Sequence, residues 1–148
     1  MTSGGAGRAV RSRGHRPVPH TADVILEAWG PDRAACFEEA VAALAAIYAE
    51  PVDVGGAVHR AVHVAPGTDE ALLLGLLDEV IFALDTDELV PVGARVATAA
   101  DGGLDMVLLA ADRARVRPAG SVPKAVSRSE LAVASTPDGV RCRFLVDV

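Results

Sequence analysis

The feature that most constrains the fold is a wide apolar stripe in residues 69–85. Its members recur every three or four positions, which is the spacing of one face of an α-helix. They are Leu72, Leu73, Leu76, Leu77, Val80, Ile81 and Leu84. Thr68 is placed to cap this helix, and Asp69 and Glu70 fall in its first turn, where acidic groups are favoured. A helix with so broad an apolar face must be buried against other elements.

A second amphipathic helix is predicted over residues 32–49. Pro31 is well placed to open it and Pro51 ends it. The apolar positions at helical spacing are Phe37, Val41, Leu44 and Tyr48.

Alternating and β-favouring residues predict the remaining elements as strands. Two single strands are predicted, over residues 20–29 and 57–65. Two hairpins follow, one joining 89–99 to 104–111 and one joining 124–135 to 140–148. The order β-α-β-α-β-β-β-β predicts an α+β, two-layer domain, in which two helices pack on a mixed, mostly antiparallel sheet.

The length of 148 residues predicts one domain, and a hydrophobic content of 51% is enough to give it a core. Residues 1–18 are predicted to be a flexible tail rich in arginine and glycine, in which His15 is solvated, and 19–148 the domain. No apolar run reaches the roughly 20 residues of a membrane helix, and the first residues lack the apolar segment of a secretory signal.

Two cysteines, Cys36 and Cys142, are too few for a metal or disulfide framework. Both fall in predicted core elements, so we expect reduced, buried thiols and a cytoplasmic protein.

The charges are segregated along the chain, whose net charge is −6. The charged residues of 69–112 are all acidic except Arg95. Those of 113–143 are mostly basic, and this stretch includes a predicted loop at 113–123. Segregated charge can steer a charged partner. A general duplex-binding protein would be broadly basic, and an aromatic content of 3% supplies few base-stacking platforms.

The sequence contains none of the common nucleotide-binding, nucleophile-elbow or zinc-helix motifs. His59 and His63 lie four apart on a predicted strand, which is the wrong element for a metal pair at that spacing. Asp23 and Asp147 stand out because aspartate is depleted in strands. With a terminal or main-chain oxygen of Val148 they could form an open site for a hard cation such as Ca²⁺ or Mg²⁺, the alternative being a solvated chain end.

Lys124 is the only lysine, whereas the other thirteen basic residues are arginine. A compact ammonium can neutralise phosphate charge in a way that arginine does not reproduce, the alternative being a chance surface residue. Four arginines could add to this field or dock on a partner, or could simply be solvated loop charges. They are Arg113, Arg115, Arg117 and Arg128.

Several short motifs together resemble the archease family over residues 19–148. They are His20-Thr21-Ala22-Asp23, Glu27-Ala28-Trp29-Gly30, Phe37-Glu38-Glu39-Ala40, Leu72-Leu73 with Leu76-Leu77, Pro123-Lys124-Ala125-Val126-Ser127 and Phe144-Leu145-Val146-Asp147-Val148. The order and spacing of the series are specific, although each motif alone is weak.

This resemblance implies a non-enzymatic activator of an RtcB-type RNA ligase in tRNA splicing and RNA repair. Such a ligase uses GTP and a metal, usually Mn²⁺, and archeases promote its guanylylation and multiple turnover. The resemblance carries the family's metal site to Asp23, Asp147 and Val148, and its functionally needed lysine to Lys124. It implies that the bound metal is Ca²⁺, with Mg²⁺ or Mn²⁺ as alternatives. It also implies that the protein meets RNA only through the ligase and does not bind membranes.

The sequence departs from the family pattern at Ser127, where threonine is usual, and at Arg128, where an aromatic residue is usual. The stretch 110–122 lacks the expected Gly-Glu segment, and residues 1–18 are extra. Two other functions stay open. One is a chaperone-like modulator of RNA-processing enzymes such as RNA methyltransferases. The other is a small metal-dependent phosphoesterase using Asp23, Asp147 and Lys124.

Overall fold

A computed structural model describes residues 12–18, 23–50, 58–86 and 89–148 of the chain. It confirms an α+β fold with two helices on antiparallel sheets. The elements are β1 (Gly14–Val18), β2 (Val24–Gly30), α1 (Arg33–Tyr48), β3 (Val58–Val64), α2 (Asp69–Thr86), β4 (Leu89–Thr98), β5 (Leu104–Asp112), a 3-10 turn (Arg113–Arg115), β6 (Ala125–Val126), β7 (Ala132–Thr136) and β8 (Gly139–Asp147).

The strands form two sheets, so the predicted single mixed sheet is wrong. The five-stranded sheet has the order β1-β2-β8-β6, with β7 also pairing with β8, and the three-stranded sheet has the order β3-β5-β4. Every strand pair among the described residues is antiparallel. Each helix packs against strands of both sheets. Because the helices are apolar around much of their circumference, two separate sheet faces bury them better than one.

Helix α2 begins at the predicted Asp69, and α1 begins at Arg33, one residue after its predicted start, with Asp32 as its N-cap. The Asp32 carboxylate accepts a hydrogen bond from the backbone N–H of Ala35 at 2.8 Å, and the Thr68 hydroxyl accepts one from Ala71 at 3.1 Å. These contacts satisfy N–H groups that have no partner inside the helix. The predicted stop at Pro51 lies outside the described residues.

The first strand was not predicted. Gly14–Val18 pairs antiparallel with β2, so the prediction of a flexible tail over 1–18 is wrong for these residues. Pro17 is compatible with this position because β1 is an edge strand and proline lacks the N–H that a central strand requires. Residues 1–11 of the predicted tail lie outside the described part of the chain.

Ion pairs hold the same segment against α1. The Arg13 guanidinium and the His15 ring both contact the carboxylate of Glu39. The His15 Nδ1 lies 2.7 Å from Glu39 Oε1. Glu38, which also pairs with Arg13, accepts a hydrogen bond from the backbone N–H of Val96 in β4 at 2.9 Å. His15 is therefore paired, and the expectation that it is simply solvated is wrong.

The last hairpin has an interrupted arm. The strand predicted over 124–135 is two short strands, β6 and β7, which both pair with β8. The backbone N–H of Ser127 still donates to the carbonyl of Leu145 at 2.8 Å, after which the chain turns at 129–130. The hydrogen-bond ladder with β8 is therefore interrupted between β6 and β7, although both strands pair with β8.

The larger of two core clusters joins both helices to the inner faces of both sheets, and a smaller one lies around Tyr48, Leu84 and Val90. Its largest fully buried side chains include Phe37, Phe144, Leu44 and Met106. Among the described residues no polar or charged residue is buried, so burial of apolar surface dominates the stability of this domain. No helix among the described residues is long and apolar enough to cross a membrane.

Both cysteines are free and buried in this core, as predicted. The Cys36 thiol donates to the carbonyl of Ala28 at 3.6 Å. A hydrogen bond with Cys36, together with burial, raises the pKa of the Cys142 thiol. Because the thiolate is the reactive form, we expect neither thiol to react with an aromatic disulfide reagent in the native state. Both should react in guanidinium chloride, whereas rapid native labelling would contradict this structure.

Candidate functional site

The pairing of β2 with β8 confirms that the first and last predicted strands meet. The last pair in this register is Val24 with Val146. Extending the register by one position places Asp23 opposite Asp147. Directly opposed residues of an antiparallel pair have Cα atoms about 4.5–5.5 Å apart and share one face of the sheet. The two aspartates therefore lie together at one end of the five-stranded sheet, and Val148 follows directly.

Lys124 lies at the same end. Its backbone N–H donates to the carbonyl of Asp147 at 2.8 Å, and the next residue, Ala125, pairs with Asp147. Lys124 and Asp147 are both exposed, and Asp23 is half-buried. The structure thus brings the four predicted site residues to one end of the five-stranded sheet. We refer to Asp23, Lys124, Asp147 and Val148 as the sheet-end site.

The apolar alternation of β8 explains why these groups face solvent. Cys142, Phe144 and Val146 are buried, whereas Arg143 and Asp147 are exposed. Since successive side chains point to opposite faces of a strand, the inward valine at 146 forces the carboxylate at 147 outward. The same alternation on β2 turns Asp23 outward, because Val24 packs against the core.

The donors of the sheet-end site suit a hard cation. They are two carboxylates and an oxygen of Val148, and oxygen is the ligand atom that Ca²⁺ and Mg²⁺ prefer. No cluster of three or more histidine, cysteine, aspartate or glutamate residues that could hold a metal occurs in the described residues. Ca²⁺ takes 6–8 oxygens, so an ion held by these three donors would keep half or more of its shell for water or a partner molecule.

Three of the candidate arginines lie in the loop after β5. The Arg113 guanidinium donates to the carbonyl of Leu84, in the last turn of α2, at 3.2 Å. Arg117 lies 3.7 Å from Glu50, just beyond α1, and Arg115 is exposed. Two of these arginines therefore hold the loop against the C-terminal ends of the helices, where cations are favoured.

The fourth candidate, Arg128, lies in the connection between β6 and β7. Burial raises the pKa of Asp78 on α2, and the charge of Arg128 opposes that rise. Arg128 is exposed and lies four residues beyond Lys124. Of the four arginines, Arg128 is the nearest to Lys124 along the sequence.

Sequence reasoning missed the partners of His63. Its Nδ1 lies 2.9 Å from Asp105 and its Nε2 lies 2.9 Å from Asp101, in the turn between β4 and β5. These hydrogen bonds raise the pKa of His63 above its ordinary value of 6.5. The backbone N–H of Gly103, followed by His63, lowers the pKa of Asp101 below 3.8. The cluster ties β3 to the hairpin turn. The only signal in the sequence was the Asp-Gly-Gly turn.

The His63 contacts predict a pH dependence of that turn. A raised histidine pKa gives stabilisation that is complete below about pH 6.5 and is lost as pH rises through the folded value. The lowered pKa of Asp101 gives stabilisation that is lost as pH falls below about 3.8. In an NMR titration, Asp105→Asn and Asp101→Asn should each lower the pKa of His63. An unchanged value in both variants would contradict the contacts.

Comparison with known proteins identifies the family of this small α+β domain. The model of the archease protein family (MTH1598/TM1083) matches residues 15–148. A "Probable protein archease" from Mycobacterium tuberculosis is 39% identical over 144 residues, 97% of this chain and 79% of that protein. A "Protein archease" from Methanosarcina barkeri is 26% identical over 136 residues, 88% of this chain and 93% of that protein. The chain belongs to the archease family.

Two solved structures share the fold. The solution structure of Methanobacterium thermoautotrophicum protein 1598 matches with a TM-score of 0.64 at 20% identity, covering 91% of this chain and 99% of that one. A crystal structure from Thermotoga maritima, described as an archease and possible chaperone, matches with a TM-score of 0.63 at 18% identity, covering 90% and 96%. The relatives are named as archeases and not as enzymes.

Proposed function

We propose that this protein is a metal-binding accessory factor that activates an RtcB-type RNA ligase by promoting its guanylylation in tRNA splicing or RNA repair. The observation that carries the proposal is the meeting of Asp23, Asp147 and Lys124 at one end of the larger sheet, through the β2–β8 and β6–β8 pairings. Membership of the archease family supports it.

The sheet-end site suits a factor that acts inside another protein's active site. It lies at one end of the larger sheet, where Lys124 and Asp147 are exposed, so a partner can reach them. Asp23, Asp147 and an oxygen of Val148 would hold a divalent cation. When bound, such a cation supplies positive charge that stabilises phosphoryl oxygens. Lys124 adds a compact positive charge that can pair with a phosphate of GTP or with the pyrophosphate leaving group.

The residues of this chain have a positioning role in that scheme. The backbone hydrogen bond from Lys124 to Asp147 fixes the start of β6 against the end of β8. The lysine and the carboxylate therefore start from neighbouring points of one hydrogen-bonded backbone. A fixed frame lowers the cost of orienting the groups when the partner binds.

The guanylylation assay tests the proposal. Substoichiometric protein is added to its cognate ligase with GTP and Mn²⁺, and covalent GMP on the ligase is followed with time. We expect acceleration by the native protein. Lys124→Ala should lose at least about tenfold of it, as expected when a charge that acts in the transition state is removed. Arg95→Ala, which removes an exposed cation from the smaller sheet, is the matched control and should keep full activity.

The alternatives give different results in the same assay. If the cognate ligase is not accelerated, the activator proposal is overturned. The chaperone-like reading, which the description of the Thermotoga maritima protein suggests, then predicts stabilisation of an RNA methyltransferase instead. If GTP or an RNA end is turned over without any ligase, the phosphoesterase reading replaces both.

A further inference from the structure

The outward face of the five-stranded sheet carries an unusual set of side chains. In the strand register Arg16 pairs with Glu27, which pairs with Arg143. Two residues further along β2, Trp29 pairs with Arg141 of β8. We call these five residues the arginine–tryptophan face. On β2 and β8 these side chains point away from the core because they alternate with buried ones, and Arg16 shares their face because it pairs with Glu27.

The charges of this face do not cancel. The Glu27 carboxylate is shared by two guanidinium groups, with Arg16 Nε at 2.9 Å and Arg143 Nη1 at 3.4 Å. The Glu27 side chain is only 14% exposed, whereas Arg16 and Arg143 are 57% and 52% exposed. Among the residues that the structure describes, no carboxylate forms a salt bridge with Arg141. Within these five residues three guanidinium groups meet one carboxylate, so a chain of net charge −6 carries a locally positive cluster here, with Asp138 of the β7–β8 turn beside Trp29 and Arg141.

The indole of Trp29 lies along this surface instead of projecting from it. A Cβ atom at Gly14 would lie 2.7 Å from the ring atom Cζ2, so the ring covers that glycine. The guanidinium carbons of Arg16 and Arg141 lie 5.8 Å and 5.9 Å from the ring centroid, within cation–π range. Trp29 is half-buried, so part of the ring remains accessible.

The neighbouring strand leaves the arginines open on their other side. In β7, Ala134 pairs with Arg141 and Ala132 pairs with Arg143. Both alanines are exposed and too small to cover a guanidinium group. A ligand lying across β7 and β8 can therefore reach both arginines and continue toward Trp29.

We propose that the arginine–tryptophan face binds single-stranded RNA, with Arg141 and Arg143 on phosphates and a base against Trp29. A positive surface with an aromatic ring is the usual platform for single strands, whose bases are free to stack. A duplex keeps its bases stacked inside the helix, so it has no free base to place against Trp29. An acidic peptide would use the arginines but has no base for the indole. This contact is direct and does not depend on the activation of a ligase.

The chain's single tryptophan makes the test direct. An oligouridylate of about twelve nucleotides, near the site sizes of single-strand binders, is titrated into the full chain at low salt. We expect saturable quenching of Trp29 fluorescence and a rise in anisotropy of the labelled RNA. Two phosphate contacts predict a slope of log K against log salt of about −1.4, and Arg141→Ala should reduce its magnitude by about 0.7.

The controls separate an RNA site from other uses of the face. Arg95→Ala removes an exposed arginine from the smaller sheet and should change neither affinity nor slope. Absence of quenching and anisotropy change overturns the proposal, as does equal weakening by Arg141→Ala and Arg95→Ala. Polyglutamate is the competitor for an acidic protein partner. If it displaces the RNA and binds the Arg141→Ala variant more weakly than the native protein, the face binds an acidic protein and the RNA assignment is overturned. Failure of ligase activation would leave each of these readouts unaffected.

Discussion

Phe144→Ala should destabilise the protein by about 3–5 kcal/mol, the usual cost of emptying a buried phenylalanine site. Phe144 is fully buried on β8, opposite Leu26 of β2, and its side chain joins the core shared by both helices. Domains are stable by only about 5–15 kcal/mol, so this single change should remove a large fraction of the total. At about 2–4 °C per kcal/mol for a chain of this size, Tm should fall by roughly 6–20 °C.

The adjacent residue gives the matched control. Leu145 lies on the same strand but on its outward side and is half-buried. Leu145→Ala should therefore cost clearly less than Phe144→Ala, because less apolar surface is exposed to water and little cavity is created. Thermal and urea unfolding followed by circular dichroism measure both variants. Equal losses would show that the alternation of β8 is not as the structure has it.

Both helices were predictable because their signals are local. The apolar spacing of α2 and the cap at Thr68 need no knowledge of the rest of the chain. The β4–β5 hairpin was predictable for the same reason, since Asp101-Gly102-Gly103 sits between two β-favouring runs and Gly102 adopts a positive φ of 89°.

Strand β1 was not predictable because its stability is entirely non-local. Gly14–Val18 contains a glycine, a proline and two basic residues, and nothing in that composition favours a strand. Its register comes from β2, and its anchors are Arg13 and His15 on Glu39, more than twenty residues away. The split into two sheets has the same origin, since the choice of β5 as the partner of β3 depends on how the helices pack.

The candidate site was partly predictable. Alternation alone placed Asp23 and Asp147 on outward positions of the first and last predicted strands. It could not show that these strands are neighbours, because strand order is a property of the whole sheet. The metal site that the resemblance implies required the first and last strands to meet, and the β2–β8 register provides that pairing. The arginine–tryptophan face stayed hidden because it needs three strands side by side.

A double-mutant cycle on Asp23 and Asp147 should reveal one shared cation. If both carboxylates ligate the same ion, Asp147→Asn alone should lower Ca²⁺ affinity at least about tenfold, in line with the loss seen when metal-site residues are altered. Asp23→Asn should do the same. The double variant should lose little more than either single one, because groups that act as a unit are not additive.

The measurement is Ca²⁺ titration by calorimetry, paired with the guanylylation assay on the same variants. Asp138→Asn, which removes an exposed carboxylate from the turn at the opposite end of β8, should keep both the affinity and the activation. Losses that add in the double variant would mean that the two aspartates act separately, which their places at paired ends of β2 and β8 argue against. Full Ca²⁺ affinity with lost activation would instead assign the carboxylates to contact with the ligase, leaving Lys124 as the group that meets phosphate.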